Sequence, residues 1–541
     1  MPKVVQKTLT FPMAGVSRSR NYRDQERPYA SPWAANVRGV GALESRRRGG
    51  SRPGLVKVYA TDFGSAITAV APVTSVSSAG VRTNDMVVIV DGVFKYLRGS
   101  AVTATTSELL DENGVAILTE DGDTIVFDSS VSSAGPIGTG VFSTAERNGR
   151  LLVADAGLKE YDPQTGVLSV LTATTGTIPT TCTLIAVYRD RVFLAGSDHV
   201  WYCCRQSDIL DWNFGANSSD AGRAVAGEIS GAGSIGEVIT AMIPNGQSSL
   251  LFASKNGLWL LRDDPTYGAM LKVSHEIGII SPTAWAMSHD GTVAFLSGDG
   301  VYLTSPGQAE HPVRFSEERI PDQLRGIDTA ANTVTMAWDA TARGFHLFIT
   351  PTPTELAPNN LGQHWWFDLV NKAMWPVVLP AAMQPVAVAR LQGTTGLSEV
   401  VLGCRDGYLR KFSSAATTDD GTAIQSHVLL GPFSMASGDM TDAVLAEIHG
   451  ILADNSGTVT WRVVMGPTAE YVADMAVAGI TSALAGTTIS GVADSGSWSE
   501  DRNKVVRPRA RGPWCVIWLS AATPWEFEAV AVRINQLGRM R

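Results

Sequence analysis

The sequence predicts an all-β protein: a β-propeller of about seven irregular blades, a C-terminal β-sandwich-like domain and an extended N-terminal arm. Three observations lead there. A short apolar run, a Gly/Asp turn and a second apolar run recur along the chain. The 53 glycines in 541 residues supply turn positions at the density such hairpins need. After about residue 416 the rhythm changes to longer period-two runs.

The hairpin unit is plainest in residues 187–215. A polar turn, Tyr188-Arg189-Asp190-Arg191, precedes the apolar run Val192-Phe193-Leu194-Ala195. Gly196-Ser197-Asp198 then leads into His199-Val200-Trp201-Tyr202. The unit recurs around Leu251-Phe252 with Asn256-Gly257, around Phe295 with Asp299-Gly300, and around Leu402 with Asp406-Gly407. It recurs again around Val88 with Asp91-Gly92 and around Leu152 with Gly157. A lone hairpin cannot bury its apolar face, whereas hairpins stacked radially bury theirs against each other. Seven blade centres follow, near Val88, Leu152, Phe193, Phe252, Phe295, Trp366 and Leu402. The propeller spans residues 59–415, with insertions at about 205–235, 304–330 and 350–363. Any one blade can still take a strand from outside this region.

Residues 416–541 hold the alternating runs Thr458–Met465, Trp514–Leu519 and Phe527–Val532, separated by a stretch of small residues from Ala476 to Ser497. Alternation of this kind predicts a separate sandwich. Residues 1–58 carry no sustained period and are rich in Arg, Gly, Pro and Ser, with scattered aromatics, Trp33 among them. Such a segment orders only against a partner surface, either a neighbouring subunit or its own chain. The expectation is a docking arm, with Arg46, Arg47, Arg48, Arg52 and Trp33 as the docking candidates.

Composition narrows the function. The five cysteines are scattered, odd in number and without a CxxC pair, which disfavours a structural zinc or a disulfide framework and fits buried free thiols in a reducing compartment. The first residues, Met-Pro-Lys-Val-Val-Gln-Lys, lack the apolar core of a signal peptide, and no run approaches the length of a membrane span. The net charge of −9 hides basic ends and a clearly acidic middle. The eight histidines show no HExxH spacing, and there is no GxSxG elbow and no phosphate-binding loop. Ser288-His289-Asp290-Gly291-Thr292 falls short of an Asp-box and reads as a turn. Glu276 and Asp290 have the residue types of a glycosidase pair, but many Asp and Glu of this chain occupy turns. The expectation is a protein that is not an enzyme and uses no cofactor and no catalytic metal. Arg46-Arg47-Arg48 has the charge to meet phosphates but no recognition fold around it.

Three groups of residues resemble a known family. Asn36-Val37-Arg38, then Leu43-Glu44-Ser45-Arg46-Arg47-Arg48-Gly49-Gly50, then Arg52-Pro53-Gly54 is similar to the N-terminal signature of tail nozzle proteins of short-tailed bacteriophages, also called tail tubular protein B or packaged-DNA stabilisation proteins. Tyr188-Arg189-Asp190-Arg191, Arg205-Gln206-Ser207-Asp208 and Asp211-Trp212-Asn213-Phe214-Gly215 resemble their central segment, and Arg511–Leu519, Trp525 and Gly538-Arg539 their C-terminal end. The resemblance implies a structural virion protein, assembled in the cytoplasm of a host bacterium. Its copies would form a ring, usually a hexamer, below the portal and against the head-to-tail adaptor and the tail fibres or spikes. Double-stranded DNA would be retained above the ring and pass through it. A receptor-binding tail protein or adhesin is the alternative. It needs an aromatic sugar cleft, for which Trp365, Trp366 and Trp375 compete with a plain role in blade packing.

Overall fold

The computed structural model describes residues 3–18, 30–40, 48–76, 80, 82–98, 107–108, 126–127, 132–137, 142–215, 219–305, 311–317, 319–320, 322–352, 362–392, 397–436, 441–454, 456–498 and 504–539. The hairpin units close into a β-propeller. Seven four-stranded antiparallel sheets follow one another, and each expected blade centre lies in one of them. Blade 1 is built from Ile67–Val76, Arg82–Val90, Val93–Arg98 and Ser132–Pro136; blade 2 from Ser143–Arg147, Arg150–Ala154, Leu158–Asp162 and Val167–Val170. Blade 3 holds Leu184–Tyr188, Arg191–Ala195, Tyr202–Cys203 and Val225–Ala226; blade 4 holds Ala241–Asn245, Ser249–Ala253, Leu258–Arg262 and Ala269–Ser274. Blade 5 is Trp285–Met287, Val293–Ser297, Gly300–Thr304 and Val313–Arg314, and blade 6 is Asn332–Asp339, Gly344–Pro351, Gln363–Asp368 and Ala373–Val377.

Blade 7 takes only three strands from the repeat region: Pro385–Gln392, Ser398–Cys404 and Leu409–Ser413. Its fourth is Gly54–Lys57, which precedes blade 1 in the chain and pairs Lys57 with Arg410 and Leu55 with Phe412. The ring is thus closed by hydrogen bonds between the two ends of the repeat region. The turn chemistry is as the sequence implies. Asp91-Gly92 and Asn148-Gly149 both take positive φ at the two central positions of tight hairpins, matching the right-handed twist of the strands they join. The second strand of each blade is almost wholly buried. Val192 to Ala195, Leu250 to Ala253 and Val293 to Leu296 are within 2% of full burial, since both faces of a blade are covered by its neighbours.

The C-terminal domain is a sandwich of two sheets. One contains Ser426–Ser434, Trp514–Ala521, Val459–Gly466 and Val492–Trp498, with the short Ala34–Ala35 on its edge. The other is organised on Thr441–Leu452 and Glu526–Arg539. Lys504–Val506 and Ala510–Gly512 flank the first of these strands, and Lys3–Thr10 and Arg48–Ser51 flank the second. Two expectations change here. The first 58 residues were expected as an extended docking arm. Among the described residues they are instead strands of this chain's own sheets, paired over the full length of Lys3–Thr10 with residues 529–536. The physical reason lies in the alternation of Val5, Lys7 and Leu9, half-buried on one face, with Val5 and Leu9 apolar and Lys7 donating its Nζ to the Ser434 carbonyl, on a strand that covers a sheet edge otherwise left bare.

The second change is a helix, Ala469–Leu484, in the region read as small-residue sequence. Thr468 caps it, its hydroxyl accepting the Tyr471 N–H at 3.2 Å. Val472, Ala476 and Ile480 recur at helical spacing and pack on Leu429, Val464, Val516 and Trp518. One contiguous core runs from blade 4 through blade 6 into the sandwich. At the junction Phe11 packs at 5.3 Å against both Trp375 of blade 6 and Phe527 of the sandwich.

Candidate functional site

The N-terminal signature lies on the seam between propeller and sandwich. Asn36 sits in the left-handed region, φ 55°, and uses every polar group it has. Its N–H donates to the Pro376 carbonyl at 3.1 Å, and its carbonyl accepts the Arg52 N–H at 3.0 Å. Its Nδ2 donates to the Gln425 carbonyl, and its Oδ1 accepts both Arg52 Nε and the Val378 N–H. Arg52 is 5% exposed, and all five of its guanidinium N–H groups are engaged. Nε donates to Asn36, Nη1 to the Pro53 carbonyl and Asp419 Oδ1, and Nη2 to the Val378 carbonyl and Asp419 Oδ2. The bidentate pair with Asp419 has N–O distances of 2.8 and 2.6 Å. Arg52 was expected to dock a neighbouring subunit. Every donor it has is spent inside its own chain, so it holds the blade-closing strand to the sandwich instead.

The glycines of the signature have a steric reason. A Cβ on Gly49 would run into the Phe11 ring, and one on Gly50 into the Trp525 carbonyl. Arg48 is half-exposed and lies 3.9 Å from Glu526, a contact of little energetic weight. Arg46 and Arg47 lie outside the described residues. Trp33 is partly buried. Its ring meets Trp365 edge-on at 5.8 Å, and the Arg18 guanidinium packs on it at 6.0 Å.

The central signature is equally structural. Tyr188 Oη reaches the carbonyls of Ser248 and Asp263 in the next blade, at 3.2 and 2.8 Å. Arg191 is fully buried. Its Nη1 donates to the carbonyls of Cys204 and Arg223 and its Nη2 to that of Ala221, with Asp264 at 3.5 Å as counter-charge. Arg205 pairs with Asp220 at 2.6 Å, and the fully buried Trp212 donates to the Ile209 carbonyl. Tyr188 thus ties blade 3 to blade 4, while Arg191, Arg205 and Trp212 fold the insertion between the third and fourth strands of blade 3.

No family model matches this chain, and no curated protein does. Among solved structures, the WD40 β-propeller domain of Doa1 aligns at 12% identity over 67% of this chain and 96% of its own, with a TM-score of 0.35. Streptogramin B lyase aligns at 10% identity over 66% and 97%, with a TM-score of 0.32. Matches at this level say nothing of activity or partners, and the propeller is read from its seven sheets.

Two clefts open along the seam. The larger, about 590 Å³, is charged: Arg38, Asp368, Asp454 and Glu526 line it beside Trp366 and Trp525. The smaller, about 540 Å³, lies between blade 6, residues 33–35 and the C-terminal turn of the helix, and is lined by neutral residues. Of the three tryptophans considered for a sugar cleft, Trp375 is packed in the core. Trp366 is 3% exposed, packs tilted against His346 at 4.5 Å and is among the residues lining the charged cleft. Trp365 reaches the neutral cleft.

Candidate chemical groups are largely consumed by packing. All five cysteines are free and buried, and burial pushes the thiols of Cys182 and Cys204 up to about 11 and those of Cys203 and Cys404 up to about 12. Burial lowers His364 to about 3, with Arg405 and Arg52 adding to the effect, and His427 to about 4. Ser288 and Asp290 close a turn. The Asp290 carboxylate accepts the Thr292 N–H and the Ser288 hydroxyl, which lowers its pKa and gives it a local structural role. Among the described residues no group of His, Cys, Asp and Glu has a metal-binding arrangement, and no helix is long and apolar enough to cross a membrane. Arg390, on the inner strand of blade 7, donates to the Met287 carbonyl of blade 5 at 3.0 Å. A single side chain therefore spans from the first strand of blade 7 to the first strand of blade 5.

Proposed function

We propose that this protein is a structural subunit of a short-tailed phage tail. Copies assemble side by side into the nozzle ring, which continues the DNA channel below the portal and adaptor. The ring retains packaged DNA and lets it pass at ejection. One observation carries the reading: the residues that resemble the nozzle family are those that hold this chain together. Asn36, Arg52, Gly49 and Gly50 fasten propeller to sandwich, Tyr188 ties blade 3 to blade 4, and Arg191, Arg205 and Trp212 fasten the blade 3 insertion. A signature spent on rigidity fits a part that bears load, and the role is mechanical rather than catalytic.

The geometry also bears on where DNA would run. Arg390 reaching from blade 7 to blade 5 makes the propeller's own axis too narrow for a duplex. The passage then lies on the axis of the ring, between copies, bounded by subunits whose middle is acidic. A wall of the same sign as DNA does not trap it. Such a ring needs a heterologous interface that closes on itself. Native mass spectrometry of the purified protein tests this, with a single closed oligomer expected. Charge reversal of Arg46, Arg47 and Arg48 together should shift that oligomer toward monomer. A wild-type protein that stays monomeric at all concentrations, alone and with the adaptor, rules the reading out.

A further inference from the structure

One face of the sandwich runs against the charge of the chain. The sheet organised on Thr441–Leu452 and Glu526–Arg539 buries Ala443, Leu445, Ile448, Val532 and Ile534 in the core. Alternation sends the residues between them outward. Val505, Arg507, Arg509 and Arg511 are exposed at every second position of the flanking segment. Val505 lies opposite His449, and Arg511 opposite Val444. Arg533 stands on the same face, since it and Arg507 share Glu447, each at 3.4 Å. Arg511 pairs with Asp442 at 2.9 Å. Arg507 and Arg511 are 79% and 62% exposed, whereas Glu447 and Asp442 are 18% and 13% exposed, so the cations are what this face presents. Val4, Ile451 and Val505 add exposed apolar side chains among them.

The opposite sign gathers on one face of the propeller. Four antiparallel strands return the chain to the end at which it entered a blade, so the connections between blades all emerge on one face. Those leading from blade 3 to blade 6, residues 227–240, 275–284 and 315–331, hold seven Asp and Glu and two Arg. Glu228, Glu276, Glu317 and Asp322 are exposed there. The hairpin turns of blades 3 to 5 on the same face add Asp198 and Asp299 against Lys255. We propose that the arginine face of one copy docks on this acidic face of a second copy, and that this is the head-to-tail contact of the ring; the proposal rests on the ring reading above. The two surfaces differ, as a contact that closes a ring requires. A two-fold dimer through the arginine face would set like charges opposite each other. Phosphates are the poorer match. Glu447 and Asp442 repel them, and Val4, Ile451 and Val505 lose water only under a protein surface, where arginine is also enriched.

The test is a charge swap in the full-length protein, read by native mass spectrometry and sedimentation velocity. Arg507→Glu, Arg509→Glu and Arg511→Glu together should weaken self-association by about tenfold or more. Glu228→Lys, Glu276→Lys and Glu317→Lys together should do the same. All six side chains are exposed, so the fold should persist in both variants. Both sets in one chain put opposite signs across the contact again and should restore the ring, a rescue that a folding defect would not give. The inference is overturned if either set leaves the ring unchanged, or if the combined variant assembles no better than its parents. It is also overturned if the arginine variant keeps the ring and loses binding to duplex DNA in a mobility-shift assay, which would give the face to phosphates. A ring indifferent to all six substitutions removes this contact alone and leaves the nozzle reading standing. A wild-type protein that never forms a ring removes both.

Discussion

Replacing Arg52 by Met is the sharpest perturbation of the seam. The substitution keeps most of the side-chain volume and removes five hydrogen bonds and one charge. Asn36 Oδ1 retains the Val378 N–H, so part of the network survives. Asp419 does not fare as well. It is 1% exposed, and its one remaining partner among those described is the Leu55 N–H at 3.2 Å. Breaking a buried pair on one side leaves an uncompensated charge and costs about 3–5 kcal/mol. Changing Asp419 to Leu in the Arg52→Met background removes that charge, and an apolar replacement of both partners is close to neutral. The double variant should therefore be more stable than Arg52→Met alone, with a coupling of roughly 2–3 kcal/mol in the cycle. Urea unfolding followed by tryptophan fluorescence measures the stability. Hydrogen exchange at residues 54–57 and 426–434 shows whether the loss is local to the blade closure. If Arg52→Met lay within about 1 kcal/mol of wild type, with exchange at residues 54–57 unchanged, the seam would not depend on this pair and the reasoning would fail.

Three further predictions follow from single sites. His364 is held near 3 when folded and returns to about 6.5 when unfolded. Its contribution is thus complete above pH 6.5 and is lost as pH falls toward 3, at roughly 1.4 kcal/mol per unit. Relative to His364→Phe, wild type should lose about 2 kcal/mol between pH 7 and pH 5 in paired melts, and parallel pH profiles would contradict the assignment. Gly50→Ala places a methyl on the Trp525 carbonyl and should lower stability by about 1–3 kcal/mol, while the exposed Gly80→Ala, with no neighbour within 4 Å, pays only its backbone strain. The five thiols should react with a thiol reagent only after denaturation; rapid reaction of any of them in the folded protein would contradict their burial.

Much of the propeller was legible because its signal is local. A blade's second strand is buried on both faces and reads as a continuous apolar run, and its turns need Gly, Asn or Asp at positive φ. Six of the seven blade centres carried both marks; the other, Trp366, lies in the third strand of blade 6, whose hairpin turns take positive φ at Arg343 and Lys372. The sandwich strands from residues 459, 514 and 526 were legible from alternation. What was not legible depends on long-range pairing. Nothing local in Lys3–Thr10 says that it will lie beside residues 529–536, and nothing in Gly54–Lys57 says that it will close a blade more than 300 residues away. Arg52 read as a surface cation because its counter-ion, Asp419, is distant in sequence. The helix was missed because half of its buried positions are alanine, which carries little periodic contrast, although Thr468 before it is an ordinary cap. The neutral cleft is assembled from four separate stretches, around residues 33, 323, 364 and 481, so no motif marks it.

The central claim is that copies of this chain surround a passage that runs between them and not through their blades. Class averages of the purified protein in negative stain address it most directly. The account predicts a closed ring with one axial opening wide enough for duplex DNA and the propellers arranged around it. Isolated particles, or rings with no central opening, would contradict it.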